Sequence, residues 1–150
     1  MISRRLFVIS AAVTVSAGAA AYLHDPPWAG DVSSGMRDWE EDPPGTRWRW
    51  TSGYGSFFVP SDATAMSMPL RGAFPGRVYV DVSVDDRWLA RIVLSDPDRW
   101  QRTRLPLSRR DIHRRFRRID LRVSRVVQPF NLGVQVGEVE LEWPDHTTKR

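Results

Sequence analysis

The chain has 150 residues, room for a single domain and a short appendage. It contains no cysteine, which excludes disulfides, thiol nucleophiles, Cys-based metal sites and a lipoprotein anchor together. The net charge of +4 comes from arginine, with Lys149 the only lysine; a GC-rich genome, which favours Arg codons, is the plain cause, and a surface for anions is the functional one, since the guanidinium fork suits phosphate and carboxylate.

Residues 1–5 are short and basic, and residues 6–23 carry no charge, the order of a charged n-region and an apolar h-region. Ser3-Arg4-Arg5-Leu6-Phe7 resembles the twin-arginine export motif, which a receptor reads. Small residues at 17–21 offer A-x-A cleavage sites, and the apolar run falls just short of the roughly 20 residues of a membrane span. A cleaved signal and a retained anchor both remain open, and either puts the folded part on the extracytoplasmic or periplasmic side. Residues 24–34, with Pro26, Pro27, Gly30 and Ser33-Ser34, read as a linker.

A run of strands is expected over 35–143, with 144–150 a tail. Arg47-Trp48-Arg49-Trp50 alternates charge and aromatic, and Phe57-Phe58-Val59 precedes a stop at Pro60. Met66, Met68 and Leu70 share one face of the next segment. In Arg77–Val84 four valines face one way, while Tyr79, Asp81 and Ser83 face the other. Asp85-Asp86 predicts a tight hairpin turn, followed by a strand with Trp88, Ala90, Ile92 and Leu94 inward. Asp96-Pro97-Asp98 is a turn, and Pro106 makes 102–107 an edge strand or a strand end. Ser108 caps a possible helical turn carrying Ile112 and Phe116 on one stripe. Ile119, Leu121 and Val123 point inward in the following strand. The last block, from Asn131, carries Val134, Val136, a bulge expected at Gly137, then Val139, Leu141 and Trp143, with Glu138, Glu140 and Glu142 outward. Alternating strands joined by short turns predict an all-β fold, a two-sheet antiparallel β-sandwich of jelly-roll type behind the N-terminal hydrophobic segment.

Four stretches in order, G-M-R-D-W-E at 35–40, R-W-R-W-T at 47–51, W-Q-R-T-R-L-P-L at 100–107 and N-L-G-V-Q-V-G-E-V-E-L at 131–141, carry a resemblance. Together they resemble the C-terminal β-sandwich domain of bacterial membrane glycosyltransferases of the dolichyl-phosphate-mannose type, a domain that looks like jelly-roll carbohydrate-binding modules. The resemblance implies the fold, and it brings no catalytic residues with it.

Chemistry is sparse. His24, His113 and His146 lack metal-ligand spacing, and no P-loop, G-x-S-x-G or G-x-G-x-x-G is present. No cofactor is implied, and the carboxylates read as solvated, so a non-catalytic role is expected. Asp85, Asp86, Asp96 and Asp98 would hold calcium only if their loops met.

Three binding roles follow. Sugar stacking would use aromatics that escape the core: Trp48, Trp50, Trp88 and Trp143 are expected inward, leaving Trp39, Tyr54, Tyr79 and Trp100 as candidates. Anion or membrane-surface binding would use Arg109, Arg110, Arg114, Arg115, Arg117 and Arg118; nucleic acid fits that charge but not the compartment. A structural role would dock a partner such as an envelope glycosyltransferase through an edge strand.

Overall fold

The computed structural model describes residues 4–108 and 114–144. Helix α1 (Arg4–His24) comes first, then a 3-10 turn (Pro27–Asp31) and ten strands: β1 (Ser33–Met36), β2 (Glu40–Glu41), β3 (Arg47–Pro60), β4 (Ala65–Gly72), β5 (Val78–Val84), β6 (Arg87–Leu94), β7 (Gln101–Pro106), β8 (Phe116–Val123), β9 (Val134–Gly137) and β10 (Glu140–Glu142). Among the described residues no helix is long and apolar enough to cross a membrane.

All strand pairs are antiparallel, and they form two layers that share one strand. The front sheet runs β1-β3-β8-β5-β6. The back sheet runs β2-β3-β9-β4-β7, with β10 pairing β4 beside β9. The two segments expected at 47–50 and 55–60 are thus one continuous strand, whose first part pairs β9 and whose second part pairs β8. The change of sheet is pinned at Thr51. Its hydroxyl, fully buried, donates to the Val134 carbonyl (3.2 Å) and accepts from the Val134 N–H (3.0 Å), so both polar ends are satisfied inside. Gly133 donates to the Thr51 carbonyl at 2.7 Å, and a Cβ there would lie 2.4 Å from the Ser52 carbonyl oxygen.

The core lies between the sheets as the alternation requires. Val78, Val80, Val82 and Val84 from the front face Met66, Met68 and Leu70 from the back, closed by Ile119, Leu121, Val134 and Val136. Each such side chain stabilises the fold by about 1.5–3 kcal/mol relative to exposure. Asp85 and Asp86 both have positive φ (49° and 64°), the backbone of a two-residue hairpin turn whose twist matches the flanking strands. β7 pairs only β4 and is an edge, as Pro106 suggested.

Several expectations shift. The stretch 24–34 is not featureless: it holds the 3-10 turn and the start of β1. Residues 131–143 do not form one strand bulged at Gly137 but break into β9 and β10. Bulges occur instead in β1, between Ser34 and Met36, and in the β5–β6 hairpin. The helical turn after Ser108 lies mostly outside the described residues, and its Phe116 opens β8.

The hairpin bulge has the largest consequence. Val82 stands opposite Ala90, yet Ser83 stands opposite Trp88, leaving Leu89 as the extra residue. Ala90, Ile92 and Leu94 keep the inward face, Leu89 packs partly against the core, and Trp88 is turned outward to 67% exposure. Strand parity also places two other tryptophans. Directly paired residues share a face, and Arg49 pairs with the core residue Val136, so Trp48 and Trp50 lie on the other side of β3, opposite Gly137 and Gln135; Trp48 is buried there, as expected of it, and Trp50 is half-buried. Trp143, beyond β10, is exposed.

Candidate functional site on the front sheet

The outer face of the front sheet is an ordered polar lattice. Two adjacent rows cross four strands in register: Tyr54–Arg122–Asp81–Arg91 and Ser56–Asp120–Ser83–Trp88. Most of these residues line a groove of about 450 Å³, with Asp86 of the hairpin turn at one end. That volume lies in the usual range of small-molecule sites, roughly 300–1,000 Å³.

Hydrogen bonds fix the lattice. Arg91 grips Asp81 through two parallel bonds, Nε to Oδ1 at 2.7 Å and Nη2 to Oδ2 at 2.9 Å. The Tyr54 hydroxyl donates to Asp120 Oδ1, while Arg118 Nε donates to Asp120 Oδ2 at 3.1 Å and its Nη2 reaches Asp86. Tyr54 is held at its far edge as well. Gly35 of β1 has φ +63°, and a Cβ there would meet the Tyr54 carbonyl oxygen at 1.9 Å, so only glycine lets β1 approach. The Arg91 bond holds the Asp81 carboxyl below its ordinary range, with Trp88 and Arg122 acting in the same direction. The hydrogen bond to Asp120 raises the Tyr54 phenol above its ordinary range. A carboxylate kept ionised this firmly is a poor general acid, since proton donation to a leaving group needs a raised pKa. The groove is suited to holding a polar ligand: two exposed aromatic groups, Tyr54 at 45% and Trp88 at 67%, flank fixed donors and acceptors.

Of the four stacking candidates, Tyr54 lines this groove, and Tyr79 stands on the same face beside it with the Arg91 guanidinium 5.7 Å from its ring centre. Trp39 and Trp100 belong elsewhere. Trp39 carries Arg47 and Arg49 at 5.2 and 4.6 Å from its ring centre. Trp100 is half-buried under Arg71 (4.9 Å), in a back-sheet groove of about 410 Å³ with Pro69, Arg102 and Glu140.

The arginine run does not form one anion surface. Arg109 and Arg110 lie outside the described residues. Arg114 is exposed, and Arg115 pairs with Asp25 at 3.5 Å. Arg117 is 3% exposed, donating to Asp85 (3.1 Å) and to the Ser108 carbonyl (2.8 Å), and Arg118 is spent on Asp86 and Asp120. Alternation sends side chains at 117 and 118 to opposite faces, so a run in sequence is not a patch in space. The condition set for calcium, that the two aspartate loops meet, is not satisfied. Asp85-Asp86 and Asp96/Asp98 sit at opposite ends of β6, roughly 26 Å apart at ~3.3 Å per residue. The first pair is engaged with arginines, Asp96 Oδ1 caps the Asp98 N–H at 2.9 Å, and among the described residues no three acids or histidines gather around a metal-sized site.

Trp88, Arg122 and Asp120 were missed as site residues. Asp81 and Ser83 are legible as outward, but the hairpin bulge that delivers Trp88 to the same face leaves no mark in the alternation of 88–94.

No protein-family model and no curated protein sequence matches the chain. Solved structures of similar shape include CsCBM6-3 from Clostridium stercorarium in complex with cellobiose, at 12% identity and a TM-score of 0.48, covering 79% of this chain and 91% of that one. The carbohydrate-binding module CBM36, in complex with calcium and xylotriose, aligns at 14% identity and a TM-score of 0.45, over 74% of this chain and 92% of that one. A family two carbohydrate esterase from Cellvibrio japonicus aligns at 13% identity and a TM-score of 0.43, over 77% of this chain but 32% of the esterase. Likeness at this level speaks to neither ligand nor activity.

Proposed function

We propose that the front-sheet groove binds glycan without catalysing its cleavage. The observation that carries this reading is the pairing of a largely exposed indole, Trp88, with Tyr54 across a groove whose carboxylates are already locked by guanidinium groups. Sugar rings present apolar faces that stack on aromatic groups and hydroxyls that need fixed partners, and this surface offers both.

The same reading assigns helix α1 the role of an export signal, on the strength of Arg4-Arg5 ahead of an uncharged run. An accessory role beside an envelope glycosyltransferase belongs to it too, supported by the sequence resemblance alone. N-terminal sequencing of the mature protein from the cell envelope checks the export step: a start between residues 18 and 30 supports a cleaved signal, and an intact Met1 in the cytoplasm removes it.

Glycan binding is tested with the full chain in a non-glycosidic detergent, by array and then calorimetry. At least one oligosaccharide class is expected to bind, with affinity cut roughly tenfold or more in Trp88→Ala, the scale of losing a stacked aromatic. Wild-type affinity in Trp88→Ala, or no binding across the array, overturns the proposal.

A further inference from the structure

We infer that the ligand of this groove is an acidic sugar, a uronate whose carboxylate is taken by Arg122. The inference rests on the glycan-binding reading and adds the ligand's charge. Three arginines and three aspartates meet on this face. Arg91 is committed to Asp81 through two bonds, and Arg118 is shared by Asp86 and Asp120. Arg122 lines the groove, is exposed, and has no hydrogen-bond or ion-pair partner among the described residues. Its row neighbours are Tyr54, whose hydroxyl donates to Asp120, and Asp81, whose two oxygens each accept from Arg91. The lattice therefore leaves a single guanidinium fork open, in the middle of the face, between the two aromatic groups.

The charge count also sets the type of anion. With three formal positive and three negative side chains, the face is neutral, so it exerts no long-range pull on a polyanion. A planar monoanion can take the open fork bidentately. A dianionic phosphate would set its second charge near Asp81 and Asp120, which repel it. Glycan carboxylates of the uronate type meet these conditions, with a ring to lie on Trp88 or Tyr54 and one charge to meet Arg122.

The test compares neutral oligosaccharides bearing a single uronate with their carboxyl-reduced twins, which share ring stereochemistry and differ by one charge, using calorimetry on the full chain. Sugar phosphates of the same ring form a third arm. The uronate is expected to bind roughly tenfold or more tightly than its neutral twin, the scale of one charge-assisted hydrogen-bond pair. In Arg122→Gln the two twins are expected to become equal, with the thermal midpoint unchanged. Arg122→Lys is expected to recover part of the preference, because it keeps the charge but not the fork. Equal binding of acidic and neutral twins by the wild type, with both lost in Trp88→Ala, overturns this inference and leaves the glycan reading standing. Preference for the phosphate arm overturns the carboxylate assignment. Failure of every sugar to bind removes the glycan reading and this inference with it.

Discussion

The two outer faces of the sandwich use the same residue types to opposite ends. Both carry aromatics and arginine–carboxylate pairs. On the back sheet, Trp48 is only 8% exposed and meets Trp50 edge to face at 5.7 Å, above a position where Gly137 offers no side chain. Its ion pairs, Arg47–Glu138, Arg102–Glu140 and Arg104–Glu142, stand in solvent. On the front sheet, Trp88 and Tyr54 stand open while Asp120 is buried beneath its partners. Aromatic content is therefore no index of function; what separates the faces is whether the ring is covered and whether the polar groups beside it are fixed.

Two tryptophan substitutions should pull the faces apart. Trp48→Ala removes a covered ring and is expected to cost about 3–5 kcal/mol, read as a fall in the urea midpoint, with sugar binding kept under conditions where the variant is folded. Trp88→Ala should leave stability within about 0.5 kcal/mol while removing binding. A large stability loss in Trp88→Ala would make it a structural residue and erase the contrast.

Arginines sort the same way. Arg117→Met strips a buried guanidinium from Asp85 and from the Ser108 carbonyl, and should destabilise by about 3 kcal/mol, the low end for a broken buried pair because Asp85 is partly wet. Arg104→Met on the back sheet should produce no measurable change, since both it and its partner Glu142 stand in solvent. Equal effects of the two substitutions in chemical denaturation would show that burial does not set the value of these pairs.

How far these features could be read from sequence follows from the same physics. The valine row of β5 and the Ile119–Leu121–Val123 row of β8 are legible because every second side chain must enter one core. Tyr54 and Asp81 are legible as outward. Trp48 and Trp50 misled as to their side of the strand because hydrophobicity suggests the core, whereas parity along β3 is set from its far end by Phe57 and Val59, and Arg49 accepts the inward place with Trp39 stacked on its guanidinium. Trp88 was hidden by a bulge, which depends on the turn and partner strand rather than on local pattern. The arginine run misled because neighbours in an extended chain diverge, and its partners, Asp85, Asp86 and Asp120, come from elsewhere in the sheet.

The smallest expected effect probes whether the front lattice is as fixed as its geometry implies. Tyr54 donates to a carboxylate, so losing its proton would put two negative charges in contact, and its pKa is raised. A group whose pKa is raised in the folded state stabilises the fold below the unfolded tyrosine value, near 10, and that contribution is lost as pH climbs through the folded value. An absorbance titration of phenolate should therefore show a late phase above the ordinary tyrosine range, absent from Tyr54→Phe. At the acid end the sign reverses. The Asp81 carboxyl is lowered by Arg91, so its contribution is present above the unfolded carboxylate value and disappears only as pH falls through the depressed one. Sugar binding should accordingly be flat across the neutral range, without the bell that a working acid–base pair would impose. A binding profile that titrates near neutrality would place the recognition elsewhere.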